Sequence, residues 1–257
     1  MLSKNKLKYI RSLSQKKYRD ADNVFVAEGP KVVGDLMGCF PCKILLGTKD
    51  YLSAHQDFIA DEIIEIEQHE LEQASALKTP RDTIAIFSRE RLRSHFLQKN
   101  VTLQPLNLAL DDVQDPGNLG TIIRLADWYG IENIYCSMHC SDAYSSKVIQ
   151  ATMGAIARVQ IHYVDLAEFI RQYEGKIDIY GTFLDGSDMY QMDLSAGGLI
   201  VMGNEGNGIS REIEKLVNRK LYIPNYPQGQ ETSESLNVAV ATAITCAEFR
   251  RQSLLTK

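Results

Sequence analysis

The sequence has no apolar run near the ~18 residues that cross a bilayer as a helix, which argues against a helical membrane protein. Cysteine is scarce and odd in number, five in 257 residues, so a secreted disulfide scaffold is not expected and a reducing cytoplasm fits better. Seventeen Gly and seven Pro are too few for a collagen-like or low-complexity chain. Residues 1–19 contain no acidic residue and no apolar h-region, so they do not read as a secretory signal. Their basic and Ser content leaves a mitochondrial transit peptide as the alternative. Against it, Lys outnumbers Arg and the structured pattern begins almost at once. What is present is an ordinary globular composition, 44% hydrophobic and 24% charged, enough to bury a core.

The net charge of −5 hides an uneven distribution. Lys4, Lys6, Lys8, Arg11, Lys16, Lys17 and Arg19 make the first 19 residues wholly basic. Such a stripe can bind phosphates even on an acidic protein, and a solvated helix face is the alternative.

Hydrophobic periodicity predicts a helix over 2–18, with Leu7, Ile10 and Leu13 on one side, then a small α/β unit. Its strands are expected at 24–27, 43–47, 63–67 and 83–87, and its helices at 28–37 and 70–77. Residues 88–104 are charged and lack an apolar pattern. The expected division is a small domain over 1–95, a linker over 96–104 and a second domain over 105–257. The second domain alternates strands (106–110, 133–137, 158–164, 177–183, 198–203, 220–223) with helices (119–129, 145–153, 165–174, 210–217, 234–252). Continuous apolar strands alternating with helices predict an α/β fold with a mainly parallel sheet covered on both faces. Ligands of such sheets sit beyond the carboxyl ends of the strands.

Three strand-to-helix segments there carry polar residues. In Asp111–Arg124, Asn118 is expected as the N-cap and Arg124 two turns into the helix, where a guanidinium can hold a phosphate in bidentate fashion. A surface Arg beside an ordinary turn explains the same residues. Gly203-Asn-Glu-Gly-Asn-Gly208 follows a buried strand and reads as a tight turn or a ligand loop. It is neither a dinucleotide fingerprint nor a Walker A loop. The third segment, from Ile223-Pro224 into a helix starting near 232–234, places Ser235 and Asn237 in the first turn. Leu236, Val240, Ala243, Ile244 and Ala247 are its expected buried stripe. None of the three segments contains His, which argues against His-based acid–base chemistry. The five His are scattered without metal spacing. Cys39-Phe-Pro-Cys42 admits a zinc site with Cys136 and Cys140 or a redox motif, but buried neutral thiols are the default.

In this order, Asn118–Arg124, Gly203–Gly206, and Ile223-Pro224 with Ser235–Ala241 resemble the three motifs of the SpoU (TrmH) family of RNA ribose 2′-O-methyltransferases, within the SPOUT superfamily. The resemblance runs from about Leu106 to Phe249 and includes Lys147–Ala155 and Arg158–Ile161. Phe25-Val-Ala-Glu-Gly-Pro-Lys31 resembles the small substrate-binding domain that many members carry, a fold related to RNA-binding ribosomal proteins. One departure is a longer loop from Ile223 to Ser235, with Tyr226–Gln230 inserted.

The resemblance implies S-adenosylmethionine in a trefoil-knotted pocket of a homodimer, and an RNA substrate, rRNA ahead of tRNA. The scarce cysteines, scattered His and lack of long apolar runs lead to the expectation of a cytoplasmic enzyme with no metal and no membrane partner. The family reading gives removal of the 2′-hydroxyl proton to the arginine at Arg124, but a guanidinium is a donor only, so Arg124 is read here as the clamp of an RNA phosphate, with that phosphate or water taking the proton. Asn118 and Glu205 would orient Arg124 and the ribose, and Ser235 and Asn237 would fix the third loop. Backbone at Gly203, Ile223 and Leu236 would hold the cofactor, with Asn204 and Gly206 in the same loop. Lys4, Lys6, Lys8 and Arg11 would meet the RNA. Val238, Ala239 and Ala243 fall off the last helix's main stripe, as a partner-covered helix requires. A nucleotide-binding oxidoreductase and a non-catalytic RNA-binding module are the alternatives from other classes.

Overall fold

The computed structural model describes residues 2–92, 106–227, 233 and 235–255. The expected linker over 96–104, and most of the loop between Ile223 and Ser235, lie outside the described residues. In chain order the elements are α1 (Lys4–Ser12), α2 (Lys16–Asp22), β1 (Val24–Glu28), α3 (Pro30–Leu36), β2 (Cys42–Gly47), α4 (Lys49–Ala54), β3 (Ala60–Glu65), α5 (Gln68–Ala74) and β4 (Thr83–Ser88). There follow β5 (Leu106–Leu110), α6 (Pro116–Trp128), β6 (Asn133–Cys136), α7 (Ser146–Thr152), β7 (Gln160–Tyr163) and α8 (Leu166–Arg171). Last come β8 (Ile179–Asp188), β9 (Gly198–Met202), α9 (Arg211–Glu214), β10 (Arg219–Tyr222) and α10 (Val238–Leu255).

The chain forms two compact units, Met1–Lys99 with Asp142–Ala157, and Asn100–Ser141 with Arg158–Lys257. The first is built on a sheet ordered β1–β4–β2–β3, parallel only between β2 and β3. The segment around α7, expected with the second domain, groups here and is held by side chains. Gln150 Nε2 donates to the Glu28 carbonyl (2.8 Å), Arg19 pairs with Asp142 (2.5 Å), and Tyr144 lies against Phe25.

The helix expected over 2–18 is two. Ser12 and Ser14 turn their hydroxyls onto the Tyr9 and Arg11 carbonyls, and the buried Arg19 guanidinium takes the carbonyls of Leu13 and Ser14. These side chains satisfy carbonyls that a continuing helix would use, so the helix stops. Helix α4 was not foreseen. Its signal was Thr48, whose hydroxyl accepts from the Tyr51 N–H, with Asp50 in the first turn.

The second unit is an α/β layer on a six-stranded sheet ordered β10–β8–β9–β5–β6–β7, parallel throughout. From β5 the chain winds through α6 to β6 and β7, then crosses to β8 and returns to place β9 beside β5. That reversal makes the carboxyl ends of β5 and β9 the switch point, where an open α/β sheet takes its ligands. Strand β9 is buried along its whole length, as its unbroken apolar run requires.

Candidate active site

Each of the three polar segments leaves a strand end of the second unit. Asp115, not Asn118, caps α6, its Oδ1 accepting from the Asn118 N–H (2.8 Å). Pro116 takes the first helical position, where a missing N–H costs nothing. Asn118 is therefore one turn inside, and its side chain is released for other work. Ile122, Ile123 and Ala126 are fully buried beneath it.

After β9 the chain closes on itself, Asn204 and Gly208 exchanging backbone hydrogen bonds of 2.9 and 2.8 Å. At Gly203 a Cβ would lie 2.2 Å from the Gly208 carbonyl carbon, so only glycine fits. Asn204 serves this turn with its side chain. Its Oδ1 accepts from the N–H groups of Gly206 and Asn207, and its Nδ2 donates to the Asp112 carbonyl. Asn204, expected at the cofactor, thus meets the adjoining cavity beside an amide already committed to the loop. Asp111 and Asp112 belong to the same frame and were missed in the sequence. Asp111 Oδ2 accepts from the Ser210 N–H (2.7 Å), and Ser137 Oγ donates to Asp112 Oδ1 (2.6 Å). Two adjacent carboxylates at a strand's carboxyl end were the available signal.

The third segment differs from expectation. Helix α10 starts at Val238, so Ser235 and Asn237 precede it rather than sit in its first turn. Asn237 is the cap, its Oδ1 accepting from Ala239 N (3.0 Å) and Val240 N (3.3 Å).

The three segments meet at Glu205. Asn118 Nδ2 donates to Glu205 Oε1 at 2.6 Å, Asn237 Nδ2 donates to the same oxygen at 2.5 Å, and Val238 N reaches it at 3.4 Å. Asn237 Nδ2 also donates to Asn118 Oδ1 (3.0 Å). The amide orientations are not arbitrary. Backbone N–H groups hold Asn237 Oδ1, and an ionised carboxylate only accepts, so both Nδ2 groups must face Glu205.

Beside this cluster lies a cavity of about 550 Å³, within the range of small-molecule sites. Glu205, Ser235, Gly203, Ile223 and Leu236 line it, with Leu184, Met202 and Leu221 as apolar wall. Among the described residues, no hydrogen bond uses the backbone of Gly203, Ile223 or Leu236. An apolar slot edged by unused amide groups suits a flat, edge-polar ring such as a nucleobase.

Arg124 stands apart. Six residues beyond Asn118 it is ~9 Å along the helix and roughly a third of a turn around it. It is exposed, has no partner among the described residues, and lines a separate hollow with Thr121, Leu125, Trp128 and Tyr129. The expected contact of Asn118 and Glu205 with Arg124 is absent in the single chain.

In the first unit, Lys4, Lys8 and Arg11 share one face of α1, and Arg11 Nε donates to the Gln73 carbonyl (2.7 Å). Lys6 faces elsewhere and pairs with Glu62 (2.5 Å). All five cysteines are buried, and none is in a disulfide. Burial pushes the Cys42 and Cys246 thiols up to about 12. A hydrogen bond from Cys136 holds the Cys140 thiol below its usual range. Among the described residues, no three His, Cys, Asp or Glu side chains cluster as a metal site, and no helix is long and apolar enough to span a membrane.

Comparison with known proteins agrees with this geometry. The model of the SpoU rRNA Methylase family matches residues 105–247, and that of an MRM3-like substrate binding domain matches residues 4–85. The chain is similar to the 23S rRNA (guanosine(2553)-2′-O)-methyltransferase RlmP of Bacillus subtilis, 27% identical over 95% of this chain and 96% of the other. A solved TrmH-family protein from Porphyromonas gingivalis is 38% identical, with a TM-score of 0.86 over 98% of this chain and 99% of that one. An AdoMet-bound rRNA methyltransferase from Sinorhizobium meliloti is 29% identical, with a TM-score of 0.82 over 98% and 97%. On its sheet topology, its three converging motifs and a family match across more than half its length, the chain belongs to the SpoU rRNA methylase family.

Proposed function

We propose that this chain methylates one ribose 2′-hydroxyl of large-subunit ribosomal RNA, as a cytoplasmic homodimer, through Arg124, Asn118, Glu205, Asn237 and Ser235. The underlying activity is that of the family, S-adenosylmethionine-dependent RNA ribose 2′-O-methyl transfer. The observation that carries the reading is the meeting of all three motifs on Glu205 beside a cavity of about 550 Å³.

When bound, S-adenosylmethionine supplies an activated methyl group on a sulfonium. The chain's part is alignment, since an in-line displacement depends on the angle and distance of approach. The free backbone edges of Gly203, Ile223 and Leu236 would hold the adenosyl part against the apolar wall, threaded in the family's knot. Asn118 and Asn237 hold Glu205 for the ribose, and Ser235 borders the cavity from the third loop. Arg124, unpaired and exposed, clamps an RNA phosphate. Lys4, Lys8 and Arg11 offer a phosphate-facing stripe on α1, with Lys6 more weakly placed because of Glu62. Five cysteines outside any disulfide suit a reducing cytoplasm.

What supports the dimer is α10. Its inner face is Val238, Thr242, Thr245, Cys246 and Phe249, all buried. Its outer face keeps Val240 (48% exposed), Ile244 and Ala247 toward solvent, and the apolar Leu254 and Leu255 extend it. An apolar outer face on a helix already packed inside needs a second cover. The separation of Arg124 from Glu205 within one chain favours a site completed across that two-fold.

The test is ribose methylation mapped in ribosomal RNA from cells with and without this chain, together with calorimetry of S-adenosylmethionine binding. A single 2′-O-methyl group lost with the chain is expected. An unchanged map, or no cofactor binding, overturns the proposal.

A further inference from the structure

We infer that Glu205, through its Oε2 oxygen, accepts the proton that the ribose 2′-hydroxyl gives up during methyl transfer. The inference rests on the reading of the site given above and gives Glu205 the proton that the sequence reading left to the RNA phosphate or water.

The observation is an asymmetry within one carboxylate. Asn118 Nδ2, Asn237 Nδ2 and Val238 N all land on Oε1, at 2.6, 2.5 and 3.4 Å. Among the described residues, Oε2 has no partner, and Glu205 lines the cavity. Asp111 and Asp115 also use one oxygen each, but of these three carboxylates only Glu205 lines the cavity. Here one oxygen is anchored by two side chains from different elements and a helix N-terminus, so the direction of the other is set. The remaining motif groups cannot take a proton. Arg124 is a donor only, and Asn amides are not bases at neutral pH.

The step balances with no further reactant. The 2′-oxygen attacks the sulfonium methyl carbon, and the O–C bond forms as the C–S bond breaks. The C–S electron pair returns to sulfur, leaving a neutral thioether. The 2′-proton passes to Oε2 and later to water. A carboxylate is too weak a base to ionise a free hydroxyl. As the O–C bond forms, however, the hydroxyl becomes the conjugate acid of an ether, a far stronger acid than any carboxylic acid. Transfer late in the step is therefore downhill, and a positioned weak base suffices.

The decisive variant is Glu205→Gln. Three N–H groups demand an oxygen at the Oε1 position, so the amide must place its NH2 where Oε2 stood. The cluster is kept and the acceptor is lost. We expect kcat to fall by ~10²–10⁴-fold, the usual worth of a general base. The KM for rRNA, the calorimetric Kd for S-adenosylmethionine and the melting temperature should stay close to wild type, as for loss of a transition-state contact. A second variant, Glu205→Ala, should regain turnover in formate but not in formamide, whose oxygen can take the same N–H groups but which is not a base. Glu205→Gln with turnover within about tenfold of wild type, or Glu205→Ala unresponsive to formate, overturns the inference. A wild-type chain that neither binds S-adenosylmethionine nor methylates rRNA overturns the reading of the site, and this inference with it.

Discussion

Asn237 holds two structures together with one amide: its oxygen caps α10 and its nitrogen anchors Glu205. The two tasks separate by substitution. Asn237→Ala should cost ~1 kcal/mol as a lost cap and lower the melting temperature by roughly 2–4 °C. Turnover should fall too. Asn237→Asp keeps a capping oxygen but sets a second carboxylate against Glu205. Stability should then largely return while activity stays low, measured by thermal melts beside methyl-transfer assays. A loss of activity that always tracks stability would reduce Asn237 to a cap. For Arg124→Ala the expected outcome is the loss of most methyl transfer, with cofactor affinity by calorimetry nearly unchanged, because Arg124 lies outside the cavity proposed for the cofactor. Near-normal methylation by that variant would remove Arg124 from the site. These residues were legible from sequence because each sits in a short segment of unusual polarity after an apolar strand. Their partners were less so. Asp115 and Asn118 are both good capping residues three positions apart, and only the path of the chain decides which one caps.

Helix α10 shows how periodicity can find an element and reverse its face. The sequence predicts Leu236, Val240, Ala243, Ile244 and Ala247 inward, yet Val238, Thr242, Thr245 and Phe249 are buried instead. The residues Val238 and Ala239, read as partner-facing, are buried in the single chain. The cause lies in two threonines. Thr242 Oγ1 donates to the Val238 carbonyl (2.7 Å) and Thr245 Oγ1 to the Ala241 carbonyl (2.9 Å). Each hydroxyl is satisfied within its own helix, so a face that looks polar in sequence can enter a core. The dimer proposed above uses the opposite face, with different residues. Val240→Arg combined with Ile244→Glu should halve the mass seen by light scattering, to 28.9 kDa, without unfolding, and should abolish methyl transfer. A wild-type monomer that is fully active would refute the dimeric site. By contrast, the parallel strands of the second unit lie where the apolar runs placed them. Central strands covered on both faces announce themselves without needing a partner.

At the scale of the whole chain, the division into units does not follow a single cut. The first unit takes in Asp142–Ala157, far beyond the end of its own sheet. The sequence reading assigned that segment to the second domain, since its helix falls naturally into the β–α alternation. Nothing local marks it otherwise, because what holds it is tertiary: Arg19 on Asp142, Gln150 on Glu28, Tyr144 on Phe25. A fragment beginning at residue 106 should therefore keep the six-stranded sheet but lose the order of α7. Hydrogen exchange is expected to show fast amides over 146–152 beside protected strands β5 and β9. Full protection of α7 in that fragment would contradict the assignment.

The same discontinuity sets a timetable for synthesis. On the ribosome, β1 to β4 emerge complete, yet the surface awaiting Val148, Ile149 and Ile156, all fully buried in the finished protein, stays bare until residue 157 has been made. At ~5–20 residues per second that gap is several seconds at least, long enough for apolar surface to meet chaperones. Strand β5 waits longer still for β9. The nascent chain must keep two unfinished surfaces soluble at once, and both close only after most of the polypeptide is in hand.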